Sequence, residues 1–306
     1  MKKICLLAVG SFLIMAVLFG CSGDKPGDTH QPYLGMKPPG MTPLPFAPKI
    51  LSVSAKYGFN LHSGLFFTPD GKQVYFTTQE LPVKLGYSLT TRYMIEVNGQ
   101  WSEPMTAPFS GQYSDRVEWI SADGQRLYIS SARPLDNSGQ ALPNRNYYVL
   151  TKSAAGWSPP RRVGNPGDFS EKDGDVYMSG DFGDSKGGVD IYKLAKVDNR
   201  HTSPVNLGEP VNGPGDQFFP LVPKDGRWII FSYSLNDDIK TRGLYLSFNL
   251  GDNKWSQPVY LKDKFGFPGF CASLSPDEKY LFIVNPEDGV YWVDAAVLEQ
   301  FRPKSE

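Results

Sequence analysis

Four acidic residues, Asp115, Glu118, Asp168 and Asp216, are the side chains of this sequence best suited to acid–base chemistry. Two carboxyl groups about 5 Å apart across a bound sugar make a retaining glycosidase, and a separation of about 6.5–9.5 Å makes an inverting one. Around them stand His62, Arg116, Gln217, Phe218, Phe219 and Phe270. Carboxylates mixed with an arginine and aromatic rings suit the holding of a sugar or a peptide equally well. Each acid also reads as a solvated loop charge or an Asx-turn residue, and each phenylalanine as core.

Other chemistries find less support. The chain has three histidines, and one of them near a site does not make a zinc centre. Asp181, Asp184 and Asp190 offer hard oxygen atoms for a structural calcium ion, but the glycine-rich loop Gly183–Gly188 explains them as well. Cys271 lies in an apolar run, where a buried thiol is inert. Neither a phosphate-binding glycine loop nor a metalloprotease helix motif occurs. The expectation is therefore no cofactor and no catalytic metal.

Whether the four acids meet depends on the elements that carry them, and these repeat. Asp70, Asp123, Asp173, Asp225 and Asp277 follow one another at spacings of 53, 50, 52 and 52 residues. Each closes a tight turn before a short apolar run: Val74-Tyr75-Phe76, Leu127-Tyr128-Ile129, Val176-Tyr177-Met178, Trp228-Ile229-Ile230 and Leu281-Phe282-Ile283. Asp-Gly between apolar runs is a hairpin signal, because glycine takes the positive φ the turn needs. A third run carries a tyrosine (Tyr93, Tyr148, Tyr192, Tyr245, Tyr291), and Trp-Ser-x-Pro follows at Trp101, Trp157 and Trp255. Proline is tolerated on an edge strand, so this motif reads as the fourth, outer strand.

Five units of four antiparallel strands predict an all-β, five-bladed β-propeller over residues 46–306, with six blades as the alternative. The last unit lacks a fourth strand, and residues 46–53 read as the missing piece, an N-terminal strand closing the final blade. In such a ring the loops entering the inner strands emerge at one mouth of the channel. That gathers His62, Asp115, Arg116, Glu118, Asp168, Asp216, Gln217, Phe218, Phe219 and Phe270 as a candidate binding site, with Arg133, Arg145, Asp181, Asp184, Asp237 and Asp238 on the neighbouring loops.

The Pro-Asp-Gly turn, the Asp190-Ile191-Tyr192 strand and the Trp-Ser-x-Pro segment resemble TolB-like β-propeller repeats, and Tyr291–Ala295 is similar to the ends of exported bacterial members. The resemblance covers residues 46–303. It implies envelope partners and specifies no catalytic residues.

The N-terminus agrees with export. Lys2 and Lys3 precede an apolar run, Ile4–Leu18, shorter than the roughly 20 residues a membrane span needs. Leu18-Phe19-Gly20-Cys21 resembles a lipobox, which makes 1–20 a signal peptide and Cys21 the lipidation site; a plain secretory signal with an incidental cysteine is the alternative. Residues 21–45, rich in Pro and Gly, read as a flexible tether. Cys5 leaves with the signal and Cys21 takes lipid, so Cys271 has no partner for an intramolecular disulfide. A net charge of −1 gives no basic surface for nucleic acid. The combined expectation is a lipid-anchored envelope protein at the outer membrane, facing periplasm or cell surface. It binds a protein segment or a glycan without catalysis; the alternative is a carbohydrate-active hydrolase or lyase.

Overall fold

The structure is a computed structural model that describes residues 33–57, 59–80, 88–135, 140–142, 145–163, 169–172, 174–197, 200–236, 238 and 241–304. In chain order, β1 is Leu44–Pro45. Blade 1 follows, with an inner strand in two pieces, β2 (Phe59–Leu61) and β3 (Phe66–Phe67), then β4 (Gln73–Glu80), β5 (Leu89–Val97), β6 (Gln100–Trp101) and β7 (Met105–Thr106). Blade 2 holds β8 (Asp115–Ile120), β9 (Arg126–Ser131), β10 (Asn146–Ser153), β11 (Gly156–Trp157) and β12 (Arg161–Arg162). Blade 3 has β13 (Phe169–Lys172), β14 (Asp175–Gly180), β15 (Asp190–Leu194), the small ribbon β16 (Lys196–Val197) and β17 (Arg200–His201), and β18 (Val205–Asn206). Blade 4 has β19 (Asp216–Leu221), β20 (Trp228–Ser234), β21 (Gly243–Gly251), β22 (Lys254–Trp255) and β23 (Val259–Tyr260). Blade 5 has β24 (Cys271–Leu274), β25 (Tyr280–Asn285) and β26 (Gly289–Asp294), and β1 supplies its outer strand in the order β1-β26-β25-β24. All pairings are antiparallel, and the result is a five-bladed β-propeller.

The repeated turn is built alike in blades 1, 2 and 5. Thr68, Ser121 and Ser275 each donate a hydroxyl proton to the turn aspartate two residues on, at 2.5, 2.5 and 2.6 Å. The same aspartate oxygen accepts a backbone N–H from Lys72, Gln125 or Lys279. The next residue turns left-handed: Gly71, Gly124 and Gly226 have φ of 67°, 67° and 65°. The fifth turn puts Glu278 there at φ 57°, a conformation that costs a residue with a Cβ about 1 kcal/mol or more. Its carboxylate accepts the Lys224 N–H at 2.9 Å from the turn of blade 4, while Lys224 Nζ donates to Pro276 O. Two departures from the repeat pattern, Lys224 and Glu278, thus meet and stitch adjacent blades.

The Trp-Ser-x-Pro segment is not the outer strand itself but the break within it. The outer strand runs first as a short hairpin tip (β6, β11, β22) and resumes after the proline as β7, β12 and β23. At the break the serine replaces the ladder. Its N–H donates to the third strand, and its hydroxyl accepts an N–H from the same strand: Ile95 to Ser102, Thr151 to Ser158 and Phe248 to Ser256, at 2.9–3.1 Å. Thr202 does the same for Ala195 in blade 3, where the tryptophan is replaced by His201.

Closure comes from the N-terminus, as the repeat pattern requires, but from an earlier segment. Leu44 and Pro45 pair with Trp292 and Tyr291, whereas Pro48–Leu51 form one helical turn led by a proline. Phe46 is fully buried against Phe282 and Trp292 at ring-centroid distances of 4.9 and 5.0 Å. Tyr33 packs edge-on against Tyr280, and Met36 joins the same cluster. Residues 33–45, expected as tether, therefore touch the propeller at both ends: Tyr33, Leu34 and Met36 pack on the blade 5–1 core, and Leu44 and Pro45 pair with β26.

Apolar side chains pack mainly between neighbouring blades, so each interface has its own core. The blade 5–1 and 4–5 clusters are large, and that between blades 2 and 3 has only Met178 and Tyr192 fully buried among the described residues. At the centre the inner strands approach closely. A Cβ on Gly64 would lie 2.9 Å from Ser273 Cβ, and Ser273 Oγ accepts the Leu65 N–H across the blade 1–5 junction.

Candidate functional site

Bulges in two inner strands shape the middle of the channel. In β8 the pairing with β9 skips Glu118, and in β19 it shifts between Phe218 and Leu221, with Phe219 at φ 51°. A bulge re-aims side chains, and here the result is a plug. Arg116 Nε and Nη2 donate to the two Glu118 carboxylate oxygens at 2.8 and 3.0 Å, and the guanidinium lies 4.8 Å above the Phe219 ring. Arg116 and Glu118 are 8 % and 6 % exposed. At this waist a void of only about 30 Å³ remains between Gly64, Phe66, Trp119, Phe219 and Cys271.

The plug divides the channel into two mouths. One, of about 610 Å³, is walled by the hairpin turns, including Pro69–Gly71, Ser121 and Ser275–Glu278. Hydroxyls and carboxylates there hold the turns themselves, as described above. The other mouth, of about 670 Å³, is where the inner-strand entry loops emerge. It collects His62 and Phe270 from the entry segments, Arg116, Phe218 and Phe219 from the inner strands β8 and β19, and Arg145 and Asp181 from the loops between second and third strands. A recess of about 230 Å³ beside His62 and Phe270 continues it towards Asn60, Lys262 and Glu287.

Rings and cations dominate this mouth. Phe270 packs edge-on to Phe219 at 5.2 Å and to His62 at 6.3 Å. Burial lowers the His62 pKa from 6.5, a hydrogen bond with Gln79 opposes that, and the Arg116 and Arg145 charges lower it further, so the ring is neutral at pH 7. Two serine hydroxyls are left over. Ser179 and Ser234 belong to the cavity wall at 3 % and 6 % exposure, and their buried Oγ atoms have no hydrogen-bonding partner among the described residues.

Not every expected site residue arrives here. Asp115 is fully buried beside the mouth, where Arg133 Nη2 donates to its Oδ1 at 2.8 Å and also to Phe109 O at 3.0 Å. Glu118 sits in the plug. Asp216 accepts the Val189 N–H at 2.9 Å, and Gln217 is buried under that same loop, its N–H donating to Val189 O at 2.7 Å. None of these four lines the cavity. Asp115, Glu118 and Asp216 are held by Arg133, Arg116 and the Val189 N–H, and Gln217 is buried with no side-chain partner among the described residues. Asp168 and Asp237 lie outside the described residues.

The three aspartates considered for calcium are held apart. Asp181 accepts from Gly183 N, Asp184 from the Tyr192 hydroxyl, and Asp190 from Asn206 Nδ2 and Lys186 N. Among the described residues no group of three His, Cys, Asp or Glu side chains is placed to hold a metal ion. Sequence reasoning missed Tyr147, Ser179, Phe182, Tyr233, Ser234 and Arg242. These flank the loops between second and third strands. The tyrosines and serines look like ordinary strand residues, and only the position of those loops at the same mouth could have singled them out.

No protein-family model and no curated protein matches the chain. Solved structures of similar outline include a puromycin-hydrolyzing peptidase from Mycobacterium tuberculosis, at 12 % identity and TM-score 0.40 over 65 % of this chain. The chain spans 29 % of that peptidase's length. A gluconolactonase from Xanthomonas campestris matches at 15 % identity and TM-score 0.40, over 78 % of this chain and 72 % of its own. The catalytic domain of a GH62 α-L-arabinofuranosidase from Coprinopsis cinerea matches at 13 % and 0.42, over 80 % and 94 %. Likenesses this distant say nothing about the chemistry of this chain.

Proposed function

We propose that this chain is a binding propeller of the bacterial cell envelope, TolB-like in kind and anchored through lipid on Cys21, that seats a protein segment or a glycan in the aromatic mouth without catalysis. The observation that carries the reading is the state of the carboxylates. Asp115 and Glu118, the acids best suited to a catalytic pair, are each held by an arginine. Both Glu118 oxygens are taken by Arg116, and Asp115 is fully buried with Oδ1 on Arg133, so neither presents a carboxyl group to the mouth as a general acid or nucleophile must. The mouth itself offers rings, cations and hydroxyls on a rigid scaffold, which is how a binding site is built.

A direct test measures binding of envelope glycans and cross-linked envelope proteins to the full chain purified in detergent. Phe270→Ala and Phe218→Ala are expected to lower the affinity at least tenfold while leaving the melting temperature within a few degrees. Turnover of any glycan that is abolished by Asp181→Asn or Asp168→Asn would overturn the non-catalytic reading and favour a hydrolase or lyase. The anchor is tested separately: Cys21→Ala is expected to abolish incorporation of labelled fatty acid and to release the protein from membranes.

A further inference from the structure

We infer that the turn-side face of the propeller rests on a phospholipid bilayer, the one that holds the Cys21 lipid, so that the aromatic mouth opens away from the membrane; this rests on the lipid anchor proposed above. Two features of that face carry the inference.

The first is where the chain joins the ring. Tyr33, the first described residue, lines the turn-side mouth and donates its hydroxyl to Asp277 Oδ1 at 3.3 Å. Residues 22–32 separate it from Cys21. At full stretch a segment of that length spans about 40 Å. A folded unit of this size has a radius of gyration of about 19 Å. To set the aromatic mouth on the bilayer, the segment would have to run fully extended along the whole side of the ring. With the turn-side face down it needs no stretching.

The second is a set of exposed apolar side chains at one end of the blades. Val97, Val197 and Leu250 stand at the hairpins β5–β6, β16–β17 and β21–β22, exposed at 57 %, 54 % and 58 %. These hairpins lie beside the repeated turns. Glu96 N–H donates to Lys72 O in blade 1, Lys196 N–H to Asp175 Oδ1 in blade 3, and Asn249 N–H to Arg227 O in blade 4. In blade 5 Met41 takes the corresponding place at 44 % exposure, since Gly40 O next to it accepts the Asp294 N–H at the end of β26. Blade 2 carries the exposed pair Ala154 and Ala155 at its hairpin. Apolar residues exposed singly are ordinary, but these recur at the same level around the ring. Among the described residues, the other large exposed apolar side chains are Leu44, Met105 and Val205 on the outer strands, and Leu135 and Phe182 after the second strands of blades 2 and 3.

Such contacts are weak singly, because membrane binding scales with the apolar area buried. The anchor changes that. A face tethered through a short segment meets the bilayer at an effective concentration in the millimolar range, so weak contacts suffice to fix its orientation. Exposed charges of both signs stand beside the apolar tips, Lys72, Lys196 and Lys254 with Asp225, Asp252 and Asp277. The contact expected is therefore apolar and needs no anionic lipid.

Spin-label accessibility on the lipidated full chain in phosphatidylcholine vesicles tests the orientation. Nitroxides are placed one at a time through Val97→Cys, Val197→Cys and Leu250→Cys, and on the opposite face through Leu135→Cys and Phe182→Cys; Cys271 is buried and stays unlabelled. Oxygen concentrates in lipid and a nickel chelate stays in water. The ratio of their collision rates is expected to be at least threefold higher at the three hairpins than at 135 and 182. Val97→Glu combined with Leu250→Glu should bring the ratio at 197 down to that of 182, while the protein still floats with the vesicles. Equally aqueous labels on both faces, with flotation intact, overturn the docked face and leave the anchor standing. Higher ratios at 135 and 182 than at the hairpins overturn it by reversing the orientation. A chain that carries no fatty acid on Cys21 and does not float overturns the anchor, and the docked face falls with it.

Discussion

Arg116 and Glu118 show what burial does to a charge pair. Taking both ions out of water is costly, and the two N–H···O bonds at 2.8 and 3.0 Å with the Phe219 ring above offset that cost. Removing one partner leaves the other unpaired, so Glu118→Gln is expected to destabilise the fold by about 3 kcal/mol. The double replacement Arg116→Met with Glu118→Leu should cost less than that single change, and urea unfolding of the two variants compares them directly. His62 makes a second prediction at this scale. With its pKa lowered in the folded chain, the unfolded chain binds the extra proton first. Stability is therefore expected to fall as pH drops below about 6.5 and to level off once the folded ring is also protonated. His62→Gln should remove that part of the slope, and a proton NMR titration of the imidazole should place its midpoint below 6.5.

Among the elements, the serine-proline break explains why one motif recurs in blades whose other residues differ. Each break costs the third strand a backbone partner, and the serine hydroxyl restores it. The value of that bond depends on burial, since a donor left unpaired out of water costs about 1–3 kcal/mol. Ser256 is buried and Ser158 is only half-buried. Ser256→Ala is therefore expected to lower stability by about 2 kcal/mol and Ser158→Ala by less than 1, as read from denaturant midpoints. The turn motif was legible from Asp-Gly spacing alone, because positive φ is a local demand. The break was not: tryptophan and proline on an edge suggest a strand, and only the register shows the strand stopping and restarting around them.

In the whole molecule the ring is held shut at one place, where β1 joins blade 5. Phe46 fills the space between Phe282 and Trp292, and Leu44 and Pro45 complete the sheet. Phe46→Ala is expected to cost about 3–5 kcal/mol, or roughly 10 °C in melting temperature for a chain this long. A chain shortened to residues 46–306 loses the outer strand of blade 5 altogether and should melt lower than residues 33–306, a comparison that calorimetry makes in one experiment. Blades 2 and 3 share the smallest core among the described residues, so hydrogen exchange should open first at their junction.

The sequence by itself determined the architecture: five turn signals at a near-constant period, each between apolar runs, leave few ways to bury those runs other than a ring of small sheets. It also placed His62, Arg116, Phe218, Phe219 and Phe270 at one mouth, because strand order alone decides which loops share a face. Tertiary structure alone decided the chemistry of that mouth. The side of a strand on which Asp115 or Glu118 falls turns on single-residue bulges and on the arginine that each one meets. The partner of Asp115, Arg133, lies eighteen residues away, and spacing along a chain does not reveal which charges will be brought together in the dark of an interior. The period of a repeat is a local property, whereas the pairing of charges and the burial of the Ser179 and Ser234 hydroxyls belong to the packed ring.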